Sequence, residues 1–166
     1  ANKKVISFKK NIGAMLAYFI GVRAAQGRVL ASVSNDVIVT ENWLKNLLIC
    51  LESNSNIGMV VPTSNCISNN QAISVQYDTI ENMQDFAKKY NKSNPKKWLE
   101  RERICPFVHV VPMSVYGKGI CHDRLFQYGE FCDDDISLQL RLNGYRLLFA
   151  KDTFCHHYGS VSLGED

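Results

Sequence analysis

The sequence has no apolar run long enough to cross a bilayer. The longest, Ile12 to Val22, is broken by Gly13 and Gly21 and bordered by charge, well short of the roughly 20 residues a membrane helix needs, so no membrane span is expected. Its six cysteines, Cys50, Cys66, Cys105, Cys121, Cys132 and Cys155, include no Cys-x-x-Cys pair and no zinc-ligand spacing, which points to reduced thiols rather than a zinc ribbon. A disulfide framework is open on even number alone, but a domain of this size does not need one. No charge of one sign dominates: 19 Lys and Arg stand against 16 Asp and Glu, and the net +3 is too small to argue for a nucleic-acid partner. Internal repeats and low-complexity tracts are absent. There is no basic, then apolar, then small-residue leader, and the first residue is Ala1 rather than Met, so the reading is a cytoplasmic fragment and not a secreted precursor.

What remains is ordinary globular material, 166 residues with 46% hydrophobic and 21% charged, enough for one domain with its own core. Val5 to Phe8 alternates like a short strand. Ala14 through Ala25 has helical spacing and stops near Gly27. Arg28 to Val33 then reads as a buried strand of the parallel kind, and Thr40 is placed to cap a helix from Glu41 that carries Trp43, Leu44, Leu47, Leu48 and Leu51 inward. Gly58 to Pro62 is a further buried strand, and Thr63 to Gln71 a polar loop. Strand, helix, strand, helix, strand argues for an α/β fold with a mixed, mainly parallel sheet flanked by helices.

Ile80 to Tyr90 reads as an amphipathic helix capped by Thr79, followed by a polar, proline-containing connection to Trp98. Residues 72–105 therefore look like an inserted helical excursion within a single domain spanning 1–166. Phe107 to Val115 is a strand, and Phe126 to Asp135 an acidic loop. Ile136 to Leu142 alternates like a strand, yet Asp135 before it and Gly144 after it bound it like a helix. Tyr145 to Ala150 is the last strand. Lys3, Lys4, Lys9 and Lys10 crowd the start, and Lys88, Lys89, Lys92, Lys96, Lys97, Arg101 and Arg103 surround Trp98. Either basic group is a solvated face or a contact for phosphate or an anionic acceptor.

Three clusters carry possible chemistry. Asp36 lies just past the carboxyl end of a strand, the edge at which open α/β sheets bind ligands; it suits a hard divalent cation, or simply a turn or helix cap. Asp133, Asp134 and Asp135 follow one another, so mutual repulsion favours a proton-accepting carboxylate, while an acidic helix amino-terminus explains them equally. His156 and His157 sit near the end, where one imidazole can join a metal site with Asp36 and its neighbour should be structural.

In order along the chain these pieces resemble the family 2 glycosyltransferases with a GT-A fold. Asn11-Ile12-Gly13 and Ala24-Ala25-Gln26-Gly27 look like the family's Asn-x-Gly helix and its turn into the metal-binding strand. Ser34-Asn35-Asp36 falls where the family has its Asp-x-Asp-like motif, with Ser34 replacing an Asn or Asp. Pro62-Thr63-Ser64-Asn65 resembles a Pro-x-Ser-Asn loop of a bacterial subgroup. Phe131-Cys132-Asp133-Asp134-Asp135, with Arg141 and Gly144-Tyr145 beyond, resembles that subgroup's Phe-Glu-Asp-Asp-Asp stretch, Cys132 standing for glutamate. His156-His157-Tyr158-Gly159-Ser160 matches a His-His-aromatic-Gly-Ser ending.

The resemblance implies a Rossmann-like GT-A domain whose amino-terminal nucleotide-binding unit is incomplete, in an enzyme of cell-surface polysaccharide biosynthesis. Asp36 and His157, more than His156, would hold Mg²⁺ or Mn²⁺ on the diphosphate of a UDP-, GDP- or dTDP-sugar donor. Asn11, Gly13, Ser34 and Asn35 would line the donor site. Asp133, or else Asp134, would take the proton of an acceptor hydroxyl on a glycan, lipid-linked or protein acceptor. Trp98 would stack on a sugar ring or sit in the core. A homo-oligomer or an amino-terminal segment would complete the nucleotide pocket. A non-catalytic carbohydrate- or partner-binding remnant and a metal-dependent nucleotidyltransferase are the rival readings.

Overall fold

The computed structural model describes residues 3–121, 123, 126 and 131–159. In chain order the elements are α1 (Ala14–Ala24), β1 (Val29–Val33), β2 (Val37–Ile38), α2 (Trp43–Glu52), β3 (Ile57–Thr63), α3 (Ile80–Tyr90), β4 (Trp98–Arg101), β5 (Val108–Pro112), the short α4 (Met113–Gly117), α5 (Cys132–Leu142), β6 (Arg146–Phe154) and β7 (His156–His157). Five strands form one sheet in the order β1-β5-β3-β6-β4, and β2 pairs with β7 in a separate ladder.

The expected mixed sheet flanked by helices is present. β1, β3 and β6 run in one direction; β5 is inserted antiparallel between β1 and β3, and β4 pairs antiparallel on the outside of β6. β3 is buried at all seven positions, as a strand covered on both faces must be. Side-chain alternation sorts the apolar residues between two layers. Val60, Val108, Val110, Leu148 and Ala150 face Leu47, Cys50 and Leu51 of α2. Met59, Val61, Val111, Leu147 and Phe149 face Ile136 and Leu140 of α5. A third cluster packs Met83 and Ala87 of α3 against Phe154, with Tyr77, Phe86 and Tyr90 around them.

Several local expectations are corrected. Val5 to Phe8 is not a strand: no ladder partner meets it among the described residues, and Val5 is 90% exposed. β1 is half-buried rather than buried, because it lies at the edge of the sheet. Thr40 does not cap α2. Its hydroxyl donates to the Phe154 carbonyl and accepts from Asn91 Nδ2 at 2.9 Å, and α2 begins at Trp43 behind Asn42 in the left-handed region. Asp135 does not cap α5 either; the helix starts at Cys132 behind Phe131, also left-handed, which puts all three aspartates in its first turn. Within 72–105, expected as a helical excursion, residues 98–101 form strand β4. Thr79 does cap α3, accepting from Asn82 N at 3.1 Å. All six cysteines are free thiols. Among the described residues no helix is long and apolar enough to cross a membrane.

Gly58 in β3 is tightly enclosed: a Cβ there would lie 2.6 Å from Tyr145 Cβ and 2.9 Å from Leu140 Cδ2. Gly58→Ala is expected to cost about 2 kcal/mol by overpacking, read as a lower urea midpoint at unchanged slope.

Candidate active site

β1 ends at Val33, and Ser34 N extends its ladder by donating to the Phe107 carbonyl at 3.0 Å. The chain then turns through Asn35 and Asp36 into β2, where Val37 pairs with His157 and Ile38 with His156. Tyr158 N donates to the Asp36 carbonyl at 3.0 Å. This ladder sets Asp36 beside His157, with Nε2 of the imidazole 3.1 Å from Oδ2 of the carboxylate. Adjacent residues of a strand point to opposite sides, so His156 turns away from Asp36. Its Nδ1 lies 2.6 Å from the Tyr77 hydroxyl, and its ring meets Tyr158 edge-on.

The surroundings of His157 specify its hydrogen. Nδ1 is 2.6 Å from the Cys66 carbonyl oxygen, which only accepts, so Nδ1 carries a proton and donates. When the ring is neutral, the Nε2 lone pair therefore faces the Asp36 carboxylate, and two acceptors 3.1 Å apart need a cation between them. A proton on the ring serves. A divalent ion also fits, because neighbouring ligands of an octahedral site with bonds of about 2.1 Å lie about 3 Å apart. Asn65 holds the backbone of His157 at two points, Oδ1 accepting from His157 N at 2.9 Å and Nδ2 donating to His157 O at 3.0 Å. Phe107 lies against the ring at 5.4 Å. Such outer partners orient a metal-binding imidazole. Among the described residues no cluster of three or more His, Cys, Asp or Glu side chains is placed to hold a metal ion, so further ligands would come from elsewhere.

A cleft of about 640 Å³ opens at this edge, lined by Asp36 and His157 together with Ser34, Asn35, Asp133 and Cys132. Successive helix positions turn by about 100°, and the three aspartates fan out accordingly. Asp133 faces the cleft. Asp134 is paired with Arg103 Nε at 2.8 Å. Asp135 accepts from Gln139 Nε2 at 2.8 Å and from Asp123 N at 3.1 Å. Asn11 and Gly13 border a second, shallower hollow of about 660 Å³ with Lys9 and Lys10, and Asn35 is common to both hollows. Glu130 and Ser160, at the ends of the acidic and histidine motifs, lie outside the described residues.

Some lining residues carried no legible signal. Tyr18 of α1 and His109 of β5 form the floor; His109 Nδ1 donates to the Pro106 carbonyl at 2.8 Å, which leaves Nε2 to accept from the Tyr18 hydroxyl at 2.9 Å. The Tyr116 hydroxyl is 2.6 Å from that of Tyr18. Burial, then the neighbouring Tyr116, push the Tyr18 hydroxyl far above its usual range. Both side chains sit inside segments whose apolar spacing explains them as core. Trp98 is half-buried against the α2-side core and donates its indole N–H to Asp152 at 2.8 Å; buried Asp152 also accepts from Asn94 N at 2.6 Å.

No family model matches the chain, and no curated protein matches it. Solved structures share its fold, two of them as follows. One is GalNAc-T7 with UDP, GalNAc and Mn²⁺, at TM-score 0.67 and 15% identity over 90% of this chain and 31% of that one. The other is the mannosyltransferase PcManGT from Pyrobaculum calidifontis with GDP-Man and Mn²⁺, at TM-score 0.60 and 15% identity over 93% of this chain and 39% of that one. The chain has the GT-A-like glycosyltransferase fold and spans about a third of the length of these two structures.

Burial, and then the charge of His157, hold the pKa of His156 below its ordinary value of 6.5. The folded state thus binds this proton less readily than the unfolded chain, so the stability it contributes is complete above pH 6.5 and is lost as pH falls through the lowered folded value. His156→Gln is expected to reduce the fall in urea midpoint between pH 7.5 and 5.5; an identical fall in variant and parent excludes His156 as its source.

Proposed function

We propose that the chain is the metal- and acceptor-binding part of a family 2 type glycosyltransferase domain, moving a sugar from a nucleoside diphosphate to an acceptor hydroxyl with inversion. One observation carries the reading: Asp36, His157 and Asp133, far apart in sequence, line one cleft at the sheet edge. The fold, which the chain shares with two glycosyltransferase structures holding Mn²⁺ and a nucleotide or nucleotide-sugar, supports it.

In this reading Asp36 and His157 would hold Mg²⁺ or Mn²⁺, which would supply positive charge to the diphosphate. Asn65, through His157, keeps that pair in register. Ser34 and Asn35 border the donor, and Asn35 leads toward Asn11, Gly13 and the lysines of the second hollow, where a UDP, GDP or dTDP unit would extend. Asp133 accepts the hydroxyl proton of the acceptor as its oxygen bonds to the anomeric carbon and the nucleoside diphosphate leaves from the opposite face. The 72–105 segment, with α3 and β4, lies on the acceptor side, and a glycan, lipid-linked or protein acceptor is the expected class. The setting is the cytoplasm.

Calorimetry with UDP, GDP and dTDP tests the donor side. Diphosphate binding that needs Mn²⁺ and weakens about tenfold or more in Asp36→Asn is expected; no metal-dependent binding of any of the three favours a non-catalytic remnant. Asp133→Asn is expected to lower kcat by about a hundredfold or more with nucleotide affinity unchanged, and retained turnover excludes Asp133 as the base.

A further inference from the structure

Of the three adjacent aspartates, Asp133 has partners of a different kind. Asp134 is held by a charged guanidinium and Asp135 by two nitrogen donors, a side-chain amide and a backbone N–H. Asp133 is met by sulfur. The Cys132 thiol, at the first position of α5, donates to Oδ1 of Asp133 at 3.2 Å. The Cys105 thiol, in the loop before β5, lines the same cleft and feels the Asp133 charge. Both thiols lie in the cleft wall.

These thiols keep their protons. Burial, then the hydrogen bond and charge of Asp133, push Cys132 up to about 12; burial, then the Asp133 charge, push Cys105 up to about 11, with Arg103 opposing. A protonated thiol is a weak donor. It fixes where a carboxylate points while engaging its lone pairs less firmly than a guanidinium or an amide does, which suits a group that must itself accept a proton.

The Cys105 arm is anchored deep in the fold. Gln71 has no exposed surface, and its amide takes both backbone groups of Cys105: Oε1 accepts from Cys105 N at 2.7 Å, and Nε2 donates to Cys105 O at 3.0 Å. The Gln71 carbonyl in turn accepts from Thr63 Oγ1 at 2.6 Å and from Ser64 N at 3.1 Å, at the end of β3. The backbone of Cys105 is thus referenced to the central strand.

We propose that Cys132 and Cys105 are positioning residues for Asp133, the Cys132 S–H holding its carboxylate and the Cys105 thiol, fixed through Gln71 to β3, flanking it in the cleft wall. This rests on the reading of Asp133 as the base. The first test needs no activity. Iodoacetamide alkylation of the full chain at pH 9, resolved by mass spectrometry, is compared between parent and Asp133→Asn. Removing the charge is expected to raise modification of Cys105 and Cys132 several-fold, about tenfold for each pKa unit released, with the distant Cys50 unchanged; equal rates at both sites overturn the proposal. The second test uses transfer. Cys105→Ala and Cys132→Ala are expected to lower kcat about tenfold at unchanged donor KM, and the Ser variants to restore it because a hydroxyl also donates. Full kcat in both Ala variants overturns the proposal. If the parent transfers no sugar, the function fails while alkylation still decides the contact.

Discussion

β3 and β6 run side by side in the same direction through the middle of the sheet, and parallel neighbours deliver their next loops to the same edge. β3 therefore leads into Ser64, Asn65 and Cys66 where β6 leads into Cys155, His156 and His157. The Cys155 N–H donates to the Thr63 carbonyl at 3.0 Å, so the two exits are still bonded as they leave the sheet. The Asp36–His157 side of the cleft follows from this shared exit. Asn65 reaches the backbone of His157, His157 pairs with β2, and Asp36 is carried in with it.

Around that edge the same device is used three times. Asn65, Gln71 and Asn91 each use a side-chain amide to bond backbone groups on a distant segment, His157, Cys105 and Phe154 respectively. An amide supplies donor and acceptor at a fixed spacing, so it satisfies a peptide unit that no strand reaches. Such bonds allow little slack, because a buried polar group without its partner costs about 1–3 kcal/mol. Loops held in this way position side chains nearly as firmly as strands do.

Elements determined by neighbours in sequence were legible. α3 has its amphipathic spacing, its cap at Thr79 and its end at Tyr90 within one short stretch. β3 and β6 announced themselves by apolar runs, and the order of motifs led to Asp36, Asp133 and His157. Elements decided by distant partners were not. Thr40 and Thr79 both precede helical patterns, yet only Thr79 caps; the Thr40 hydroxyl goes to the Phe154 carbonyl, 114 positions away. β5 gives no sign in its own composition that it enters the sheet antiparallel. β4 is short, charged and set in a proline-containing stretch, and becomes a strand because β6 offers it an edge. The aspartate run told of acid but not of direction; only helical geometry sends Asp133 inward and Asp134 toward Arg103.

The two rims of the main sheet differ in character. On β4, Glu100 is bound to Arg146 of β6 at 2.8 Å and Arg101 follows it, so that border carries fixed charge. β1 reads Val-Leu-Ala-Ser-Val, without a charged side chain, and among the described residues its outer side meets no strand. Charge on a border discourages a newcomer from zipping onto it, and a neutral border does not. Lateral extension of this sheet is accordingly one-directional: an additional strand, from whatever chain, finds its template along Val29 to Val33.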